Sequence, residues 1–289
     1  MSTIIREVHA MQEASRAERQ AGRRIAVVPT MGALHEGHLS LVRLARTHAE
    51  RVITTIFVNP TQFAPGEDLE RYPRPFERDV ERATTAGTDF IFAPPVEELY
   101  PAGFATSVAV EGLTRVLEGA ARPTHFRGVT TIVAKLFLCT LPDVAVFGQK
   151  DGQQVAVIRR MAADLNFPVR IVVGQTVREA DGLAMSSRNV YLSARERSEA
   201  PVLYRALRQA EEAILNREKN AVAIVELMKR LIGENSSGLI DYCSLADAGT
   251  LVEQEQLKPG SMVMLSLAVR FGSTRLIDNI VVEVPKPNS

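Results

Sequence analysis

The sequence predicts a Rossmann-like, doubly wound α/β domain with a smaller C-terminal α+β domain. Three observations predict it. Short β-branched apolar runs alternate with helix-patterned stretches as far as about residue 175. A glycine-containing turn joins the first of these runs to a helix, as in nucleotide-binding α/β folds. Beyond that point the alternation stops, and two helices are followed by strands.

In order, Ile25–Pro29 is a buried-strand pattern and Gly37–His48 is a helix with leucines at 39, 41 and 44. Val52–Val58 is a second strand, Arg74–Ala86 a polar helix, and Asp89–Ala93 a strand closed by Pro94 and Pro95. Val129–Leu141 is a helix stopped by Pro142. Val144–Phe147, Gln153–Leu165 and Val169–Val173 continue as strand, helix and strand. Such alternation implies right-handed crossovers and a parallel sheet covered on both faces. Ala194–Asn216 and Ala221–Ile232 then pattern as helices, and Gly238–Leu245, Met262–Val269 and Leu276–Val282 as strands. The domains are expected at 1–176 and 177–289, with the tail Pro285–Ser289 loose.

The chain has 289 residues, enough for one large domain or two ordinary ones. Its 34 basic and 34 acidic side chains cancel, so charge gives no reason to expect nucleic-acid or membrane binding. An anionic ligand must then be held by local groups. The two cysteines, Cys139 and Cys243, lie in apolar stretches and suggest buried free thiols rather than a disulfide or a zinc site. Met1–Arg6 lacks a signal-peptide core, and no apolar run reaches the ~18 residues of a membrane span. A cytoplasmic setting is expected.

Four segments carry chemistry. Pro29-Thr30-Met31-Gly32-Ala33-Leu34-His35-Glu36-Gly37-His38 follows the first strand and opens a helix. Free amides at a helix start, with its partial positive charge, suit a phosphate. His35 and His38 are three apart and share a face, where two imidazoles can donate to phosphate oxygens. The bland alternative is two surface histidines. A metal site would need a third ligand, and none is near in sequence, so no protein metal site is expected. The phosphate loop ending in Gly-Lys-Ser/Thr and the Gly-x-Gly-x-x-Gly loop are both absent, which argues against ordinary kinases and dehydrogenases.

Phe57-Val58-Asn59-Pro60-Thr61-Gln62-Phe63 ends the second strand on the same carboxyl edge. Asn59 and Gln62 offer amides to a polar small molecule, although Asn-Pro also favours turns. Phe147-Gly148-Gln149-Lys150-Asp151-Gly152-Gln153-Gln154 is another strand-to-helix turn. Lys150 can be a mobile cation for phosphates, and Asp151 a cap or a partner for ribose or magnesium. Met185-Ser186-Ser187-Arg188-Asn189 puts two hydroxyls and a guanidinium in one loop, a set suited to phosphate oxygens.

Together these segments resemble the pantoate–β-alanine ligase (pantothenate synthetase) family within the wider nucleotidyltransferases. Ile25–His38, Ile56–Pro73, Leu117–Phe137, Phe147–Gln154, Asp181–Leu192 and Arg275–Asn279 follow that family in order and spacing. The resemblance implies two steps. Pantoate and ATP, the latter with Mg²⁺ on its phosphates, give pantoyl adenylate and pyrophosphate, and β-alanine then displaces AMP. It also implies that Met31, Gly32, Ala33, Leu34, His35, Glu36, Gly37 and His38 line the ATP site, with His38 as the catalytic acid. Gly148, Gln149, Lys150, Asp151, Val177, Met185, Ser186, Ser187 and Arg188 would complete that site, and Gln62 and Gln154 would hold pantoate. Charge on the phosphate oxygens would be met by His35, His38, Lys150 and Arg188. The second domain would act as a lid hinged near Gly182, and a homodimer is implied.

One position departs from the family, which usually has an aromatic residue where this chain has Gly152. A rival reading is another nucleotidyltransferase, moving AMP or CMP onto a phosphate-bearing substrate. Gln62 and Gln154, suited to a small hydroxy acid, oppose it. A second rival is a nucleotide-sensing module without turnover.

Overall fold

The computed structural model describes residues 2–286. The chain divides into two compact units, Met1–Gly148 with Val157–Gly174, and Gln149–Ala156 with Gln175–Ser289. The segment Gln149–Ala156, which the sequence pattern assigns to the first domain, therefore groups with the second. Hydrogen bonds from that turn to the last strand, described below, account for this. Of the tail expected to be loose, residues 287–289 lie outside the described residues.

The first unit begins with β1 (Thr3–Ile5) and α1 (Val8–Gln20). Neither is visible in the sequence pattern. The strand has three residues, and the helix buries only Met11 and Ser15, so neither leaves a clear apolar period. Next come β2 (Ile25–Val28), α2 (Glu36–Arg46), β3 (Arg51–Thr55), α3 (Phe76–Ala86), β4 (Phe90–Phe92) and the short helices α4 (Val96–Leu99) and α5 (Glu118–Ala121). Then follow α6 (His125–Thr140), β5 (Val144–Gly148), α7 (Gly152–Asp164) and β6 (Arg170–Gly174). The helix α6 starts four residues before its apolar run. Its Gly128 lies where a Cβ would be 2.3 Å from the Thr61 carbonyl oxygen, so the helix closes against the 60–62 turn only with glycine there.

The six strands form one sheet in the order β1-β4-β3-β2-β5-β6, and every neighbouring pair is parallel. The chain runs outward from β2 to β3 and β4, then returns to β5 on the other side of β2. The carboxyl ends of β2 and β5 therefore flank the point where strand order reverses, the place where such sheets bind ligands. The central strand β2 is buried at every residue, as a parallel strand covered on both faces must be. Leu41, Val42 and Ala45 of α2 pack on Ala26, Val28, Val52, Val144 and Val146.

The second unit carries α8 (Ala194–Glu199), α9 (Val202–Leu215), α10 (Ala221–Asn235) and β7 (Leu239–Asp247), β8 (Met262–Phe271) and β9 (Thr274–Glu283). The single helix expected over 194–216 is two. Pro201 has no N–H to continue the ladder, so α8 stops before it. The strands form an antiparallel sheet in the order β7-β8-β9. Leu203 and Leu207 of α9 and Ile224 and Met228 of α10 share its core with Leu265, Leu267 and Phe271. Cys139 and Cys243 are free and buried, and burial pushes both thiols up to about 11.

Candidate active site

The loop after β2 turns under tight internal control. Thr30 donates its hydroxyl to the Thr55 carbonyl at 2.6 Å, and accepts the Gly32 N–H at 3.2 Å. Gly32 has φ +82°, and a Cβ there would meet Asp79 Oδ2 at 3.0 Å and Ile56 Cγ2 at 3.2 Å. Only glycine satisfies both the backbone angle and the space. Asp79, 1% exposed, reaches back from α3 and accepts the Ala33 and Leu34 N–H groups at 2.7 and 2.8 Å. Burial raises its carboxyl above the usual value, while those two amides pull it back down. Arg82, one turn further along α3, donates to the Leu34 carbonyl at 2.6 Å.

His35 caps α2, its Nδ1 accepting the Gly37 N–H at 3.2 Å. His38 Nδ1 accepts the His35 N–H at 3.3 Å, and the ring centroids lie 4.1 Å apart. The two histidines therefore form a reciprocal capping box. An acceptor at Nδ1 puts the proton of each neutral ring on Nε2.

This geometry corrects the expectation of free amides. The N–H groups of Gly32, Ala33, Leu34, His35, Gly37 and His38 all donate within the chain. Ala33 and Leu34 are buried, with their amides on Asp79. Glu36 is exposed and paired with Arg43.

Asn59 requires a second correction. The sequence suggests a substrate contact, yet Asn59 is 1% exposed and all its bonding capacity is used. Its Nδ2 donates to Gln62 Oε1 and the Gly128 carbonyl, both at 3.1 Å. Its Oδ1 accepts from the Thr61 hydroxyl at 3.0 Å and the Tyr100 hydroxyl at 2.9 Å. Asn59 thus orients Gln62. With Oε1 taken, the Gln62 amide turns its Nε2 toward Met31 Sδ, 2.9 Å away. The Gln62 carbonyl is held by Arg122 Nη2 at 3.2 Å and by His125 Nδ1 at 2.9 Å. Burial lowers His125 to about 4, so it is neutral near pH 7. An apolar cavity of about 390 Å³ lies beside the loop, lined by Met31, Gly32, Phe57, Phe76 and Pro94 among others.

In the second unit, Gln149–Asp151 is a single 3₁₀ turn leading into α7, and Lys150 Nζ lies 3.2 Å from Asp151 Oδ1. Gln154 is half-buried in the first turn of α7. Val177 and Met185 are brought together by a paired turn: the Met185 N–H donates to the Val177 carbonyl at 3.0 Å, and Arg178 bridges Ala184. Ser186 caps the 3₁₀ turn Ser187–Tyr191, its Oγ accepting the Arg188 N–H at 3.2 Å. Gly182, expected near a hinge, is the tight turn of this paired segment at φ +93°, its carbonyl held by Arg178 at 3.1 Å. Asp278, buried beneath, accepts both terminal nitrogens of Arg178 at 2.6 and 3.1 Å. Burial raises the Asp278 carboxyl, and Arg178 opposes that rise.

A family model described as Pantoate-beta-alanine ligase matches residues 3–281. The chain belongs to the pantoate-β-alanine ligase family. The pantothenate synthetase of Moorella thermoacetica is 54% identical over 281 residues, covering 97% of this chain and 99% of that one. The crystal structure of pantothenate synthetase from Thermus thermophilus superposes with TM-score 0.91 at 46% identity, covering 98% of this chain and 100% of that one. The Francisella tularensis pantoate-β-alanine ligase, complexed with β-γ ATP and β-alanine, matches with TM-score 0.79 at 30% identity, covering 97% of this chain and 98% of that one.

Membership makes the chain an AMP-forming ligase of pantothenate biosynthesis, which condenses pantoate with β-alanine through pantoyl adenylate. The rival transferase and the sensing module both fall. Asp79, Tyr100, Arg122, His125 and Gly128, which hold the loops after β2 and β3, escape sequence reasoning. Only Gly128, a glycine set directly before the Val129–Leu141 helical pattern, leaves a signal.

Proposed function

We propose that the family's two steps run in this chain on His35, His38, Gln62, Lys150, Gln154 and Arg188. The pantoate carboxylate attacks the α-phosphorus of ATP and pyrophosphate leaves. The β-alanine amine then attacks the acyl carbon, and AMP leaves with the bridging oxygen. No protein nucleophile is required. The observation that carries this reading is the reciprocal His35–His38 pair at the start of α2, with both Nδ1 atoms used and the ring protons on Nε2. Donors of this kind offset negative charge gathering on the phosphate oxygens. Lys150 and Arg188 add positive charge, and Met31, Gly32, Gly148, Gln149, Asp151, Val177, Met185, Ser186 and Ser187 complete the nucleotide's surroundings. Gln62, its amide set by Asn59, donates Nε2–H to pantoate.

Among the described residues no group of three or more His, Cys, Asp or Glu could hold a metal. Mg²⁺ would come with the ATP phosphates, and Asp151 in the Lys150 turn would be the carboxylate to hold it, a usual arrangement for an ion that keeps much of its water. It would neutralise phosphate charge. Among the described residues no helix is long and apolar enough to cross a membrane. A cytoplasmic homodimer is what the family resemblance supports. The test is ATP–pyrophosphate exchange. Exchange that requires pantoate, followed by AMP release on adding β-alanine, is the expected result, and exchange without pantoate contradicts it.

A further inference from the structure

Asn279 of β9 is 5% exposed, and its side chain meets the turn that carries Lys150. Its Oδ1 accepts from Gln149 Nε2 at 2.8 Å, and its Nδ2 donates to the Lys150 carbonyl at 2.8 Å. Its own N–H donates to Asp278 Oδ1 at 2.8 Å. Asp278 in turn holds Arg178, whose guanidinium lies 3.7 Å from the Tyr204 ring centroid. Two adjacent residues of one strand thus fix two loops, Asn279 the Lys150 turn and Asp278 the segment between Val177 and Met185.

The Lys150 turn needs a group that accepts and donates at once. Asparagine does both, whereas an aspartate would set a carboxylate against the Lys150 carbonyl. Space is tight as well. A Cβ on Gly152 would lie 2.7 Å from Asn279 Oδ1 and 2.7 Å from Met264 Sδ. The departure from the family's usual aromatic residue therefore has a local cause, because Met264 and the Asn279 amide fill the space.

We propose that Asn279 is a positioning residue for adenylation, clamping the Lys150 turn, and that Gly152 is the complement that lets the turn seat on it. The proposal rests on the reading of Lys150 as a phosphate-facing cation. The full-length chain and the variants Asn279→Ala, Asn279→Asp, Gly152→Ala, Lys150→Ala and the Asn279→Ala/Lys150→Ala double are assayed by pantoate-dependent pyrophosphate exchange, with thermal melts alongside. Asn279→Ala is expected to lower kcat by roughly 10- to 100-fold while ATP KM moves less than about threefold. Asn279→Asp keeps the acceptor alone and gives no rescue. Because the clamp acts through Lys150, the double variant is no slower than Lys150→Ala within about threefold.

Wild-type kcat in Asn279→Ala, or losses that multiply in the double variant, overturns the clamp. Wild-type kcat in Lys150→Ala overturns the reading beneath it, so the two failures are told apart. Should Asn279→Ala not fold, Gly152→Ala carries the test. It leaves both partners in place and pushes the turn off Asn279, so a several-fold fall in kcat supports the clamp and an unchanged kcat overturns it.

Discussion

Two loops that we assign to the nucleotide site are held by opposite chemistry. The His35–His38 loop of the first unit is pinned by a buried carboxylate, Asp79, that accepts two backbone N–H groups. The Lys150 turn of the second unit is pinned by a neutral amide, Asn279, that accepts from a side chain and donates to a carbonyl. The loops explain the difference. One presents N–H groups to its clamp and needs an acceptor, while the other presents a donor and an acceptor together. The carboxylate clamp costs desolvation, visible in the raised Asp79 carboxyl. The amide clamp carries no charge and adds no titration.

The largest effect is expected at the loop that the first clamp holds. His38→Ala removes a donor and the acceptor for the His35 N–H. It is expected to slow adenylation by a factor on the order of 10² or more. Pyrophosphate release in a single turnover reads this, and a near wild-type rate removes His38 from the reaction. Asp79→Asn comes next. It leaves one acceptor for two amides, so one buried N–H faces an NH₂ group. A loss of about 1–3 kcal/mol in urea unfolding and a roughly 10-fold or greater fall in kcat are expected. Unchanged kcat would mean that the His35–His38 loop keeps its shape without a carboxylate.

Gly32→Ala tests the same loop more gently. The alanine must take φ +82° and press on Asp79 and Ile56, which is expected to cost about 1–2 kcal/mol. Activity at 25 °C should fall several-fold, while a variant as stable and active as the parent contradicts the tight seating. His125, which holds the Gln62 carbonyl, should show instead in the pH dependence of stability. His125, lowered to about 4 by burial, is neutral in the folded chain and gains its proton readily only when unfolded. Its contribution is whole above pH 6.5 and is lost as pH falls toward 4, on the order of 3 kcal/mol across that window. Replacing His125 by Gln should flatten stability between pH 4 and 6.5, and urea titrations at several pH values would show whether it does.

Much of the fold is legible because a parallel core writes itself as β-branched runs. Ile25–Val28 and Val144–Phe147 are buried at every position, and so stand out as continuous apolar segments. Thr3–Ile5 is mostly exposed and too short to show a period, so it does not. The chemistry-bearing loops are legible because glycines and histidines cluster at strand ends. Their supports are not. Asp79 lies 46 residues from Ala33, and Asn279 lies 129 from Lys150, separations across which spacing carries no information. Asn59 shows the converse failure. An amide beside Gln62 suggests substrate, and only its burial among Gly128, Thr61 and Tyr100 reveals that it serves the chain instead.

The central claim is that AMP activates the pantoate carboxyl, with both loops serving that step and no protein nucleophile intervening. Pantoate labelled with ¹⁸O in both carboxyl oxygens, turned over with ATP and β-alanine, tests it most directly by mass spectrometry of the AMP. One ¹⁸O in the AMP phosphate is predicted, since the bridging oxygen leaves with AMP. Unlabelled AMP would contradict the claim.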